Sequence, residues 1–116
     1  TPPSDAVFPV LEHDAHAADM GAAFYNGKQF PEKYRGGYFW AQHGSWNRND
    51  AVGARVMWAP VKADGTPGKA EPFAEGWLTA DGEYLGRPLD VATLPDGSML
   101  VSDDYVGAIY RISYGK

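Results

Sequence analysis

Three groups of residues have types and spacing able to do chemistry. The first is His43-Gly44-Ser45-Trp46-Asn47-Arg48, which follows an apolar run and opens a polar, glycine-containing loop over 44–53. Trp46 offers a flat apolar surface, and Asn47 and Arg48 offer amide and guanidinium donors. Together they suit a planar anionic ligand, because a guanidinium grips a carboxylate with two parallel hydrogen bonds. The same residues also fit a surface loop whose Trp caps the core and whose Arg pairs with Asp50. The second group is Gly86-Arg87-Pro88, immediately before a strand-like run. Arg87 is either a second anion-binding arm or a solvated side chain paired with Asp90 or Glu83. The third is His13, Asp14, His16 and Asp19, whose spacing matches no metal motif and reads equally as a polar loop. Asp103-Asp104 carry carboxylates without the regular ligand spacing of a calcium loop, and beside a turn they suit accepting backbone hydrogen bonds. Ser45 lies two residues after His43 but lacks the strand–turn–helix setting of a nucleophile elbow. No glycine-rich phosphate loop is present.

The elements that must position these groups are short. The chain has 116 residues, room for one small domain. Fourteen Gly and nine Pro, about a fifth of the residues, exceed the usual ~12% and favour turns and short strands over long helices. Hydrophobic residues at 44% and charged residues at 22% are ordinary for a globular chain, which argues against general disorder. The net charge of −5, with no basic stripe, argues against a nucleic-acid surface. The absence of Cys excludes disulfides, thiolate metal sites and Cys nucleophiles, and leaves the compartment open. No run of ~18 apolar residues exists for a transmembrane helix, and no signal-peptide pattern is visible. The start at Thr1 rather than Met leads us to expect a processed or trimmed chain.

Residues 1–19 read as an irregular lead-in segment broken by Pro2, Pro3 and Pro9. Strands are expected over Met20–Tyr25, Tyr38–His43, Ala54–Val61, Glu71–Leu78 (an edge strand, because Pro72 lacks a donor), Pro88–Leu94, Ser98–Ser102 and Ala108–Tyr114. Gln29–Arg35 reads as a loop or a single helical turn starting at Pro31. Lys62–Lys69 and Pro95-Asp96-Gly97 are turn chemistry. No segment keeps a helical period over 11 residues, so the expected class is all-β.

An internal repeat sharpens this. VGARVMWAPV begins at Val52 and VGAIYRISY at Val106, an offset of 54 residues, and each copy follows a glycine turn and a strand. Repeats of ~40–50 residues with several short strands each mark β-propeller blades. A sandwich explains the strands but not the repeat. The expected division is one full blade over 20–78 and most of a second over 86–114. Propellers close with four to eight blades, so two alone leave unpaired edges, and further blades, from the same polypeptide or from other chains, must complete the ring.

The segments FPEKYRGGYFWAQHGSWNR (Phe30–Arg48), VGARVMWAPV and GRPLDVATLPDGSMLVSDDYVGAIYRISY (Gly86–Tyr114), in this order and spacing, resemble the C-terminal part of the glucose/sorbosone dehydrogenase family. The resemblance covers roughly residues 16–114. It implies about two blades of a six-bladed propeller and use of pyrroloquinoline quinone (PQQ), with calcium assisting the quinone. It implies oxidation of an aldose or sorbosone-like aldehyde, an electron acceptor for the quinol, and a periplasmic or secreted location.

Carried over residue by residue, the resemblance makes Arg87 a contact to the PQQ carboxylates or quinone oxygens. It makes Trp46-Asn47-Arg48 the place where a basic side chain meets the cofactor, with Arg48 favoured over Asn47. His43 would stand at the mouth of the same site. The family's general-base His, its acidic partner and its main calcium ligands have no match here, so no catalytic residue and no metal ligand is assigned. The fragment is expected to supply cofactor contacts without catalysis. The competing expectations are a non-catalytic two-blade module, three copies of which close a six-bladed ring, and a calcium-dependent lactonase-like propeller. The few channel acids (Asp90, Asp103, Asp104) weigh against the last.

Overall fold

The computed structural model describes residues 1–115. Seven strands form two antiparallel sheets. The first sheet has the order β1 (Asp19–Phe24), β2 (Tyr38–Gln42), β3 (Arg55–Ala59) and β4 (Glu71–Ala74). The second has the order β5 (Pro88–Thr93), β6 (Met99–Asp103) and β7 (Ala108–Ile112). Each strand pairs with its neighbour in sequence, so both sheets are simple meanders. The only helical element among the described residues is one 3-10 turn over Glu32–Tyr34, preceded by Pro31. The protein is thus all-β. Among the described residues no helix is long and apolar enough to cross a membrane.

Three strands end two or more residues earlier than their composition suggests, each for a local reason. β3 stops at Ala59 because Pro60 lacks a backbone donor, although Val61 keeps an isolated bridge to Pro67. β4 stops at Ala74, and Gly76 then turns out with φ +122°, leaving Leu78 only a bridge to Tyr84. β7 ends at Ile112, where its partner β6 begins at Met99.

The register sorts the side chains. In the β2–β3 pair, Phe39 faces Trp58 and Ala41 faces Val56 on one side of the sheet. These join Tyr25, Phe30, Val91, Met99 and Val101 in the core between the sheets. On the other side Trp40 pairs with Met57, and Leu11 from the lead-in segment packs against them. β2 and β3 are therefore buried on both faces. At the lower end the buried Tyr25 hydroxyl donates to the Gly97 carbonyl (2.6 Å) and accepts the Phe30 N–H (3.0 Å). This ties the β1–β2 connection to the β5–β6 turn.

The molecule measures 52 × 39 × 20 Å, with a radius of gyration of 15.2 Å. A compact chain of this length would have a radius near ~13 Å, so this is a flat slab of two layers. The antiparallel order also fixes what meets at the upper end. The start of β1, the β2–β3 loop, the linker into β5 and the β6–β7 turn all lie there.

Candidate functional site

That upper end gathers residues distant in sequence. The His43 ring, half-buried just past β2, reaches across the sheets to Asp104 with Nε2–Oδ1 at 2.7 Å. Asp104 follows β6, so this pair links the two sheets directly. Sequence reasoning named both residues and missed that they meet. The repeat carried the signal, because it puts the ends of β2 and β6 in equivalent places.

Arg87 enters β5 from the inter-sheet linker. Its guanidinium lies over the Tyr84 ring, 4.0 Å from the centroid, and 5.7 Å from the Tyr105 ring. A cation held on an aromatic face gains electrostatic attraction, more when partly desolvated. Its Nε is buried without a hydrogen-bond partner. Such a donor is costly unless something accepts from it. Neither Asp90 nor Glu83, the partners a solvated Arg87 would take, engages it. Asp90 instead accepts the Val91 N–H (2.8 Å).

The neighbouring Asp103 is structural. It is 3% exposed, and its carboxylate accepts the N–H groups of Tyr105 (3.0 Å) and Val106 (3.1 Å) and the Tyr110 hydroxyl (3.0 Å). Burial opposes its ionisation. The backbone N–H groups of Arg87, Val106 and Tyr105 and the Tyr110 hydroxyl outweigh that and hold its pKa below the ordinary value. Gly86 makes this approach possible. A side chain there would collide with the Asp103 carboxylate and with Trp77.

The loop after His43 is pinned at its base and open at its tip. Ser45 is buried, while Trp46 is 71% exposed and Asn47 sits in the left-handed region at φ +53°. Arg48 turns back toward its own loop and the lead-in segment, donating to the carbonyls of Asp50 (3.1 Å) and Ala15 (2.8 Å). The Trp46 ring meets His16 edge-on at 6.3 Å instead of capping the core. The site residues thus fall into two neighbourhoods. Arg87 and His43 are anchored near Tyr84 and Asp104, whereas Trp46, Asn47 and Arg48 lie along the rim with the lead-in segment.

The remaining polar residues are spread out. His13 pairs with Asp19, and Asp14 with Arg55 (3.6 Å). Among the described residues no three His, Asp or Glu side chains come together in a metal-binding arrangement. Calcium thus finds no cluster of three such side chains among the described residues. A PQQ-like anion is different, because Arg87 offers a buried, unpartnered guanidinium N–H of the kind a carboxylate accepts.

Comparison with known proteins bears on the fold. No protein-family model matches the chain. An uncharacterized protein of Borreliella burgdorferi is 39% identical over 108 residues, which is 92% of this chain and 28% of that protein. The PQQ domain of a pyranose dehydrogenase from Coprinopsis cinerea, in its holo form, superposes with a TM-score of 0.64. Its identity is 22%, over 85% of this chain and 27% of that domain. This establishes a shared all-β fold, matched over part of that domain. A carbohydrate-active enzyme of family AA12 from Trichoderma reesei aligns more loosely, with a TM-score of 0.48 and 18% identity over 65% of this chain and 21% of that one. The chain spans under a third of the length of each protein it matches.

Proposed function

We propose that this chain is the C-terminal portion of a quinoprotein sugar dehydrogenase of the glucose/sorbosone type, acting on an aldose or sorbosone-like aldehyde. The observation that carries the reading is Arg87: a guanidinium stacked on Tyr84, with a buried Nε that has no partner, at the end where the two sheets meet. The fold it shares with a PQQ domain supports the same reading. When bound, PQQ would accept two electrons and a proton as hydride equivalents from the sugar carbon. This chain's part is to bind and orient. Arg87 neutralises a carboxylate or quinone oxygen of the cofactor. His43, aimed by Asp104, faces the same space as a polar wall. Trp46, Asn47 and Arg48 form the rim.

In this reading the remaining blades, in the same polypeptide or in partner chains, supply the general base, the sugar pocket and any calcium site. The quinol passes its electrons to an acceptor, and the protein works in the periplasm or outside the cell. The open outer face of the second sheet favours completion by further sheets. It does not separate a longer chain from a ring of identical copies.

The test is a titration of the 15N-labelled chain with PQQ, followed by NMR. We expect weak binding that moves the resonances of Arg87, Tyr84, Tyr105 and His43, and loss of that response in Arg87→Ala with the rest of the spectrum intact. Shifts elsewhere, or shifts that survive Arg87→Ala, would overturn the assignment.

A further inference from the structure

Tyr84 touches both halves of the candidate site. Its ring lies under the Arg87 guanidinium at 4.0 Å. Its hydroxyl is inserted into the base of the β2–β3 loop. There it accepts the Ser45 N–H (2.8 Å) and donates to the Val52 carbonyl (2.9 Å), with Ser45 Oγ a further 2.9 Å away. The Tyr84 proton being given to Val52, the Ser45 hydroxyl proton points at the Tyr84 oxygen. Ser45 Oγ in turn accepts the Val52 N–H (2.9 Å), so both ends of the loop close on one phenol. The ring edge also fills the space beside Gly44. Gly44 holds φ +124°, and a Cβ there would come within 2.8 Å of the Tyr84 ring.

We propose that Tyr84 is the positioning residue of this end. It locks the loop bearing Trp46, Asn47 and Arg48, which belongs to the first sheet, to Arg87 at the start of the second. Tyr84 itself belongs to neither sheet but to the linker between them. Among the described residues its one cross-strand bridge is to Leu78. A linker residue with three polar contacts to one loop and a cation on its face does more than connect two sheets. It fixes how the loop sits relative to Arg87. That Arg87 serves to bind an anion rests on the proposed function; the coupling through Tyr84 does not.

Two variants separate the ring from the hydroxyl. Tyr84→Phe keeps the ring and deletes the polar contacts; Tyr84→Leu deletes both. The Arg87 Nε–Hε resonance reports the ring, because a proton over an aromatic face is shifted upfield. Amide exchange at Ser45 and Val52 reports the hydroxyl. In Tyr84→Phe we expect the Arg87 signal to stay in place while Ser45 exchange quickens several-fold, because its N–H loses the phenol oxygen and keeps the Val52 carbonyl (2.9 Å). In Tyr84→Leu the Arg87 signal should lose its upfield shift as well. A tyrosine that merely fills the linker would leave Ser45 exchange unchanged in Tyr84→Phe, where the ring is kept. Unchanged Ser45 exchange in Tyr84→Phe, or an unmoved Arg87 signal in Tyr84→Leu, would overturn the proposal. Adding PQQ then divides the two ideas. If the variants behave as expected and PQQ perturbs neither the wild type nor the variants, the coupling stands and the cofactor reading fails. If PQQ binds the wild type, its affinity should fall several-fold in Tyr84→Phe and further in Tyr84→Leu.

Discussion

The two sheets are built alike and buried differently. β2 and β3 of the first sheet are covered on both faces: Phe39, Ala41, Val56 and Trp58 against the second sheet, and Trp40, Met57 and Ala59 against Leu11, Tyr38 and Ala70. β6 and β7 of the second sheet are covered on one. Met99, Val101, Tyr110 and Ile112 face the core, while Leu100, Ser102, Ile109 and Arg111 lie on the opposite side, with Ile109 71% exposed. The strand sequences record the difference. YFWAQ and RVMWA are almost continuously apolar, whereas AIYRI and MLVSD mix polar residues into the outward positions. What separates the sheets is the lead-in segment, which crosses the outer face of the first and leaves that of the second open.

The largest test of this contrast is a pair of truncations. Phe39→Ala removes a fully buried ring from between the sheets and should cost about 3–5 kcal/mol in urea denaturation. Ile109→Ala removes an exposed side chain from the open face and should stay within about 0.5 kcal/mol. Equal costs would mean that the sheets do not share the core described here.

A smaller effect probes a buried charge, Asp103, on the inner side of the second sheet. Asp103→Asn should cost about 1–3 kcal/mol at neutral pH, because the carboxylate's donors lose a charged acceptor inside the fold. The pH dependence has a definite sign. The folded pKa of Asp103 lies below its ordinary value, so its contribution is complete above the unfolded pKa of about 4 and is lost as the pH falls through the lower, folded one. The stability gap between wild type and Asp103→Asn should therefore narrow steadily below about pH 4. A gap of the same size at pH 3 and pH 7 would show that ionisation of Asp103 contributes nothing.

Much of the scaffold was legible because its signals are local. Alternating or continuous apolar runs between Gly and Pro turns marked the strands, and the 54-residue offset between VGARV and VGAIY marked two similar sheets. The candidate site was legible only in part. Arg87 and His43 could be named from their motifs, yet their contacts come from elsewhere in the chain. Asp104 is 61 residues from His43, and Tyr84 is 39 from Ser45. A Tyr in a linker looks like any other aromatic until the meander brings the loop over it. The direction of Arg48 was equally hidden. The carbonyl it binds belongs to Ala15, in a segment whose irregular backbone, with His16 and Ala18 at positive φ, no periodicity describes.

The smallest expected change in stability carries a separate lesson about the open face. Ile109→Lys places a charge where Leu100, Ala92 and Ile109 form a shallow apolar cavity of about 180 Å³ with Asp90 and Ser102 at its edge. The side chain is mostly in water, so folding should change by no more than about 0.5 kcal/mol. Association should respond differently. An exposed apolar sheet face beside unpaired edges invites contact with another sheet. If three copies close a ring, this face of each copy meets a different surface of the next, because a ring of three is built from head-to-tail contacts. Native mass spectrometry of the wild type would then give a trimer, and Ile109→Lys would give monomers with unchanged urea midpoints. If the face is instead made to meet further blades of a longer chain, the isolated chain is monomeric in both forms. The substitution would then weaken assembly only when those blades are supplied. A trimer that survives Ile109→Lys intact would rule out this face as the contact and leave the contrast between the sheets without consequence for assembly.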